Sequence, residues 1–543
     1  ILVVVNLSRF VEYVELDLAR FKGMVAVEMF GRNAFPPIGD LPYLLTLGPH
    51  SFYWLSLEPG EPRGEAAEPG GAARPSIRTS AASIEALLGR EQGALEAALP
   101  EILRGRRWYG AKAERIRSAK LIDAVPIGTP SGESALLLVR VELGSGGSET
   151  YAMPVGLARG EAARTLQREA PHALLADLAD EGQGHADGVL FDALEDPAFC
   201  AAWLDGIARR RRWRGGAGEL ASGTTPAFRA LRGEPDDPLP ATLLRAEQSN
   251  SSVIFGERLV LKLFRKLAPG INPDLEIGRF LTERTDFAHV PRTAGYLEYR
   301  AARSEPITVA VLQGWVQNEG DAWRWALDQL KRFYEDVLVT RAGQTPPDTG
   351  ASLLARCEGP PPPEVVLETM GGFLETMRLL GRRTGELHRA LASDAENPEF
   401  APERLSTLYQ RSLYQSMRNL QARVLGTLRG SLADLPPELA ADAARLLAAE
   451  EQLGARFRSL LGGRIDALRI RCHGDFHLGQ VLFTGSDFVI LDFEGEPARS
   501  LGERRLKRSP LADVAGGPPA LDHARPRPRV EVGPQGAPPP RDR

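Results

Sequence analysis

Apolar and polar residues alternate with period two in Val14-Glu15-Leu16-Asp17-Leu18. Two more apolar runs, YLLTL (43–47) and SFYWLSL (51–57), flank the turn formers Gly48-Pro49-His50. This pattern predicts strands across 1–58. So short a stretch with no disulfide is a marginal unit by itself, so it reads as the end of a larger β domain. Residues 59–82 shift to Pro, Gly, Ala and Glu and read as a flexible linker. The spacing of Leu and Ala in 84–112 predicts helix, and ALLLVRVEL (135–143) predicts a strand, which makes 83–240 an α/β module. In 241–318 the runs SSVIF (251–255), RLVLKLF (258–264) and ITVAVLQ (307–313) predict a β-rich lobe. Helical spacing then dominates 319–516, through AWRWALDQLKRF, TMRLLGRRTGELHRAL and LYQRSLYQSMRNLQARVL, with a polar-rich seam at 469–513. After DVAG the Pro- and Arg-rich residues 517–543 carry no apolar period. They read as a disordered, out-of-frame tail, which leaves the helical lobe incomplete.

Composition narrows the function classes. Over 543 residues, 43% are apolar and 25% charged, the balance of a globular chain. No apolar run reaches the roughly 18 residues that span a bilayer, so no membrane partner is expected. A net charge of -5 supplies no field for nucleic acid. The run Arg209–Arg212 with Trp213 and Arg214 reads as a solvated helix face. Cys200, Cys357 and Cys472 are too far apart in sequence for a disulfide framework or a zinc knuckle, which fits a reducing, cytoplasmic setting. The chain opens on Ile1 without a signal peptide and reads as part of something longer. Lysine occurs only at positions 22, 112, 120, 262, 266, 331 and 507.

The chemistry concentrates in RIRCHGDFHLGQVLFTGSDFVILDFEGEPAR (469–499). Asp475 and Gln480 are five apart, and Asp492 follows the apolar run FVIL. Phosphoryl transfer needs a carboxylate to receive a hydroxyl proton and oxygen ligands to hold Mg²⁺ against the phosphates. Asp475 suits the base, and Gln480 and Asp492 suit the metal. A zinc site from His473, Asp475 and His477 is the weaker alternative, because Phe476 and Leu478 interrupt it. His473 reads as a brace of the catalytic loop. A kinase also needs a lysine on a strand for the α- and β-phosphates and a helical acid to hold it. Lys262 in RLVLKLF and Glu276 in NPDLEIGRFL fill those places, with Asn272 or Asp274 as the helix cap. The loop EQSNSS (247–252) would lie over the phosphates through its backbone and the hydroxyls of Ser251 and Ser252. The adenine hinge is expected at Val311–Gln317.

HGDFHLGQ with DFE is the form of the aminoglycoside-phosphotransferase-like small-molecule kinases, which the chain resembles. The fuller pattern HGDFHLGQVL, ILDFEGEPAR and ERRLKRSPLADVAG, with RRWYGAK (106–112), EQSNSSVIF, NPDLEIGRFL, GELHRAL (385–391) and LYQRSLYQSMRNL (408–420), closely resembles the maltokinases over about 85–516. Residues 1–57 resemble the C-terminal β domain of trehalose synthases. The resemblance implies an α+β multidomain chain: a β domain remnant of an amylase-type enzyme, an α/β cap, and a bilobal protein-kinase-like core with a mainly helical C-lobe. It also implies ATP and Mg²⁺ as cofactors and maltose as acceptor, giving maltose 1-phosphate in trehalose and glycogen metabolism. Isomerase activity is expected to be absent, since the catalytic barrel of a trehalose synthase is missing from this chain. For the sugar, His477, Glu494, Glu496 and Arg499 are the candidates, since hydroxyls are recognised by hydrogen bonds whose loss is costly. A catalytically impaired fragment, and a kinase of another sugar or aminoglycoside, are the alternatives.

Overall fold

In this computed structural model, residues 74–79 and 83–516 are described apart from 113, 131, 180–185, 235–236, 245–248, 341–358 and 360–361. Before them, 2–5, 12–28, 34–38, 43–47 and 52–59 are described. The tail 517–543, the turn 48–50, most of the linker and Cys357 lie outside the described residues. The chain divides into two units, Ile1–Arg74 and Pro75–Arg543.

The first unit is all β, as its alternation predicts. Its strands are β1 (Leu2–Val5), β2 (Glu12–Leu16), β3 (Met24–Glu28), β4 (Ala34–Pro37), β5 (Tyr43–Leu47) and β6 (Phe52–Pro59). One sheet has the order β1-β6-β3-β4, and β2 pairs with β5. The runs 43–47 and 51–57 therefore do not form a hairpin with each other. Leu18, Ala26, Ile38, Tyr43 and Leu55 form the small core.

The second unit begins with a cap. β7 (Ser76–Arg78) lies inside the stretch expected to be linker, yet it pairs in parallel with β11 (Leu174–Ala179), so the linker ends earlier than 82. The remaining cap strands are the long β8 (Ile116–Thr129), β9 (Gly132–Leu143), β10 (Ser148–Arg159) and β12 (Ala186–Asp192), in sheet order β7-β11-β12-β10-β9-β8. Helices α1 (Ile84–Leu88), α2 (Gln92–Arg104), α3 (Gly160–Glu169) and α4 (Pro197–Ala208) complete it. Asp196 caps α4, accepting from the Ala198 N–H, with Pro197 at the first position where its missing N–H costs nothing.

A second sheet follows in the order β13-β14-β19-β20-β17-β16-β15. These strands are β13 (Arg212–Arg214), β14 (Gly218–Thr224), β15 (Ala241–Leu244), β16 (Asn250–Phe255), β17 (Leu259–Phe264), β19 (Thr293–Ala301) and β20 (Ile307–Gly314). Two boundaries therefore shift. The β lobe claims Arg212–Thr224, well before residue 241. The arginine run is a helix end and an edge strand rather than one helix face, with Arg209 and Arg211 on Asp205 and Arg212 on Glu219. Trp213 turns inward onto Gly206, where any Cβ would meet its ring at 2.0 Å. Two short elements, α5 (Phe228–Arg232) and β18 (Lys266–Leu267), flank the sheet, and β18 pairs back onto β10 of the cap.

Helix α6 (Pro273–Arg284) lies between β18 and β19. Asn272 accepts from the Asp274 N–H, Pro273 occupies the first turn, and Asp274 and Glu276 place negative charge at the positive helix end. The helical lobe contains α7 (Ala322–Thr340), α8 (Glu364–Leu391), α9 (Thr407–Ser431), α10 (Pro437–Ala448), α11 (Glu450–Arg458) and the short α12 (Leu501–Arg504). Its strands are β21 (Glu403–Arg404), β22 (Leu468–Arg469) and the hairpin β23 (Val481–Phe483) with β24 (Phe488–Ile490). Among the described residues, no helix is long and apolar enough to cross a membrane.

Candidate active site

The motif HGDFHLGQ forms the loop between β22 and β23. His473 is buried, and its Nε2–H donates to the Leu491 carbonyl at 2.8 Å, leaving Nδ1 to accept from the Asp475 N–H at 3.4 Å. That assigns the neutral Nε2–H tautomer and the bracing role expected of this residue. Gly474 has φ +86°, a conformation an L-residue adopts only under strain. A turn of this kind presents the next side chain, Asp475, half-buried. Among the described residues its carboxylate carries neither an ion pair nor a hydrogen bond.

Asp513 holds this loop, and the sequence reading missed it. Its Oδ2 accepts from the His473 N–H at 3.0 Å and Oδ1 from the Gly474 N–H at 2.9 Å. His388 of α8 bonds Oδ2 at 2.9 Å. Burial would raise this carboxyl, but these donors hold it below the ordinary Asp value. The available signal was an acid, Asp513, set inside the apolar stretch LADVA of the resemblance pattern.

β24 ends at the second part of the motif. Asp492 has φ +61°, uncommon outside glycine, and turns its carboxylate onto the Lys262 Nζ at 2.7 Å. The Gln480 side chain lies near the same carboxylate and helps to lower its pKa. Asp475, Gln480 and Asp492 thus share one loop-and-hairpin unit, as their spacing predicts.

Lys262 projects from β17, opposite Ser252 and Val311 on the neighbouring strands. Its helical partner is Asp274 at 3.0 Å, and this corrects the expected pairing with Glu276. Asp274 lies in the first turn of α6, where its other oxygen also accepts from the Phe493 N–H at 3.2 Å. Glu276, one half-turn on, instead meets Arg471 at 2.7 Å and Arg505 at 2.6 Å.

Glu494 is also redirected. Expected near the sugar, it bonds Lys262 at 2.8 Å and accepts from the Asn250 amide at 2.6 Å. Three carboxylates, Asp274, Asp492 and Glu494, converge within 4.8 Å around one ammonium. Burial works against the charge on Lys262, but the carboxylates prevail and hold it well above the usual lysine value. Asp492 is lowered, since the ammonium outweighs burial; Glu494 is raised by burial, which Lys262 only partly offsets.

Ser251 and Ser252 lie in β16 rather than in a phosphate loop. The Ser251 hydroxyl is buried and accepts from Arg265 Nε at 2.8 Å, whereas Ser252 faces the same side of the sheet as Lys262. Residues 245–248 of the expected loop lie outside the described residues. The hinge also moves: Val311 is inside β20, which runs to Gly314, so the interlobe connection is Trp315–Asp321. His477 accepts from the Gly479 N–H at 3.1 Å, which caps a short turn. Glu496 and Arg499 lie in the bend after DFE and are linked only through their backbones, at 3.0 Å.

Two lobes, a strand lysine paired to a helical acid, an Asp-bearing loop and an Asp-Phe-Glu turn together define a kinase-type phosphotransferase. Comparison with known proteins places it more closely. Residues 1–54 match the family "Maltogenic Amylase, C-terminal domain" and residues 103–196 match "Maltokinase N-terminal cap domain". The chain is 27% identical over 398 residues to the glucosamine kinase of Streptacidiphilus jiangxiensis, covering 70% of this chain and 78% of that one. It is 58% identical over 57 residues to the trehalose synthase of Pimelobacter sp. (strain R48), 10% of either chain. A solved glucosamine kinase in complex with glucosamine, ADP and inorganic phosphate aligns at 20% identity, covering 75% of this chain and 74% of that chain, with a TM-score of 0.46. The chain thus carries a segment similar to the C-terminal domain of maltogenic amylases and trehalose synthases, ahead of a cap similar to that of maltokinases and a core similar to the glucosamine kinases.

Proposed function

We propose that this chain transfers the γ-phosphoryl group of ATP to a sugar hydroxyl, and that the acceptor is the anomeric hydroxyl of maltose, giving maltose 1-phosphate and ADP. The observation that carries the reading is the contrast between two aspartates. Asp492 is bound by Lys262, whereas the Asp475 carboxylate, on the same unit, is unengaged among the described residues. A base must be free to take a proton; a metal ligand must be oriented before the metal arrives.

Asp475 accepts the hydroxyl proton as the sugar oxygen bonds to phosphorus and the bond to the ADP oxygen breaks. The surroundings fit Mg²⁺, since Asp492 and Gln480 offer hard oxygens and the acids converging there include no thiolate or imidazole. When bound, the ion would supply positive charge against the phosphates. Lys262 adds a fixed charge on the same side, kept protonated by its acidic neighbours. Around the sugar, His477, Glu496 and Arg499 remain the candidates.

The cap and the trehalose-synthase-type segment favour maltose, while the glucosamine kinase relatives favour an amino sugar as the second reading. Purified chain with Mg-ATP and a panel of maltose, glucose and glucosamine decides between them. Phosphosugar formed fastest from maltose is the expected outcome; a preference for glucosamine rejects the maltose assignment, and ADP release with no acceptor dependence rejects the sugar kinase.

A further inference from the structure

The helix that supplies Asp274 is tied to the helical lobe as well as to the sheet it follows in sequence. Its apolar face, Ile277, Phe280 and Leu281, is buried in one core with Leu387 and Leu391 of α8 and with Phe488 and Ile490 of β24. Leu275 joins the core of the sheet and the Thr282 hydroxyl accepts from the Thr293 N–H of β19 at 2.9 Å, but it is the longer apolar face that anchors the helix to the helical lobe. The chain just after the helix follows suit, because the Ile490 N–H donates to the His289 carbonyl at 2.9 Å.

Charge reinforces this attachment. Glu276 accepts from Arg471, two residues before His473, and from both Nε and Nη2 of Arg505, at 3.1 and 2.6 Å. The Arg471 side chain is 1% exposed, and its Nε and Nη1 have no partner, so Glu276 is the only acid on this guanidinium among the described residues. Phe280 stacks on Phe400 at 3.7 Å, and Arg471 lies over that ring at 5.5 Å. A buried, singly paired arginine is costly to displace, so the helix is fixed where the catalytic loop is fixed.

We propose that Glu276 is a positioning residue: clamped by Arg471 and Arg505, it locks α6 to the helical lobe so that Asp274 keeps its place beside Lys262 and the Phe493 amide. This differs from the protein kinases, in which positioning of the corresponding helix is a control point. The proposal rests on the kinase reading only for its turnover arm.

The test uses the full chain with spin labels at exposed Arg284 of α6 and Arg389 of α8. Without nucleotide, Glu276→Gln broadens the 284–389 distance distribution; an unchanged distribution overturns the clamp. Should Glu276→Gln fail to fold, Arg505→Gln, which removes the more exposed partner, takes its place. In turnover, Arg505→Gln lowers kcat about ten-fold with the sugar KM unchanged, the signature of misplaced rather than missing binding groups. An unchanged kcat overturns the positioning role, whereas loss of nucleotide binding by the wild type would overturn the kinase reading and leave the nucleotide-free distances to judge the clamp.

Discussion

The central sheet meets the cap on one side and the helical lobe on the other, and the two contacts are built from different materials. Towards the cap it shares a single apolar core: Phe199, Trp203 and Ile207 of α4 pack with Leu220, Phe255, Leu261 and Leu297 of the sheet. Full burial of a Phe or Ile contributes ~1.5–3 kcal/mol, so this surface is not one that opens. Polar ties across it are satisfied on both partners. Asp123 of β8 accepts from the Gly216 and Gly218 amides and from the Tyr299 hydroxyl, and Arg265 donates to Asp192 at 2.6 Å. Towards the helical lobe the sheet offers Lys262 and Asn250 to a cluster of carboxylates with an excess of negative charge. The first contact makes one body of cap and sheet. The second is a polar seam, where the proposed cation and nucleotide would bind.

This contrast is broken most sharply by substitutions of equal size on its two sides. At the seam, Asp475→Asn lowers kcat for phosphosugar formation by about 10²–10⁴ with the melting temperature unchanged. An active Asp475→Asn would remove the assigned base. At the cap contact the effects invert. Arg265→Met removes the buried guanidinium that donates to part-buried Asp192 and Ser251, and destabilisation of about 1.5–3 kcal/mol is expected in denaturant unfolding. A change under about 1 kcal/mol would show that this contact is not a structural tie.

A smaller effect separates Glu494 from that pattern. Three carboxylates surround one ammonium there, so Glu494→Gln removes surplus charge, and stability at neutral pH stays within about 1 kcal/mol of the wild type. Protonation follows the same logic with opposite signs. Asp492 and Asp513 lie below their ordinary value near ~3.9, so each stabilises the fold above that pH and loses its contribution as the pH falls through the lowered value. Glu494 lies above its ordinary value, so its contribution is complete below about 4.3 and lost as the pH rises through the raised value. Thermal melts across pH should therefore fall on acidification below about pH 4. Glu494→Gln should close part of the gap between neutral and mildly acidic stability; identical pH profiles for wild type and variant would contradict the raised carboxyl.

The grouping of the proposed catalytic residues was legible because its geometry is local. Asp475, Gln480 and Asp492 occupy one loop and one hairpin, where spacing along the chain sets position in space. Lys262 was legible as a rare lysine in an apolar strand, but its partner was not. Asp274 and Glu276 share one helical turn, and the choice between them depends on which face of α6 the buried Arg471 claims. The polar run around Ser251 reads as a loop, yet strand pairing with β17 absorbs it and Arg265 takes the hydroxyl. The border of cap and lobe was misplaced because the charges around Trp213 mask an edge strand. Asp513 was hidden because its role is to bind backbone amides some forty residues away, at His473 and Gly474, which leaves no side-chain motif to read.

The most direct test is ³¹P NMR of purified chain incubated with Mg-ATP and maltose. A new phosphate monoester resonance that grows in step with ADP and is absent when maltose is omitted is the expected result. ATP consumption that yields only inorganic phosphate, with or without maltose, would contradict it.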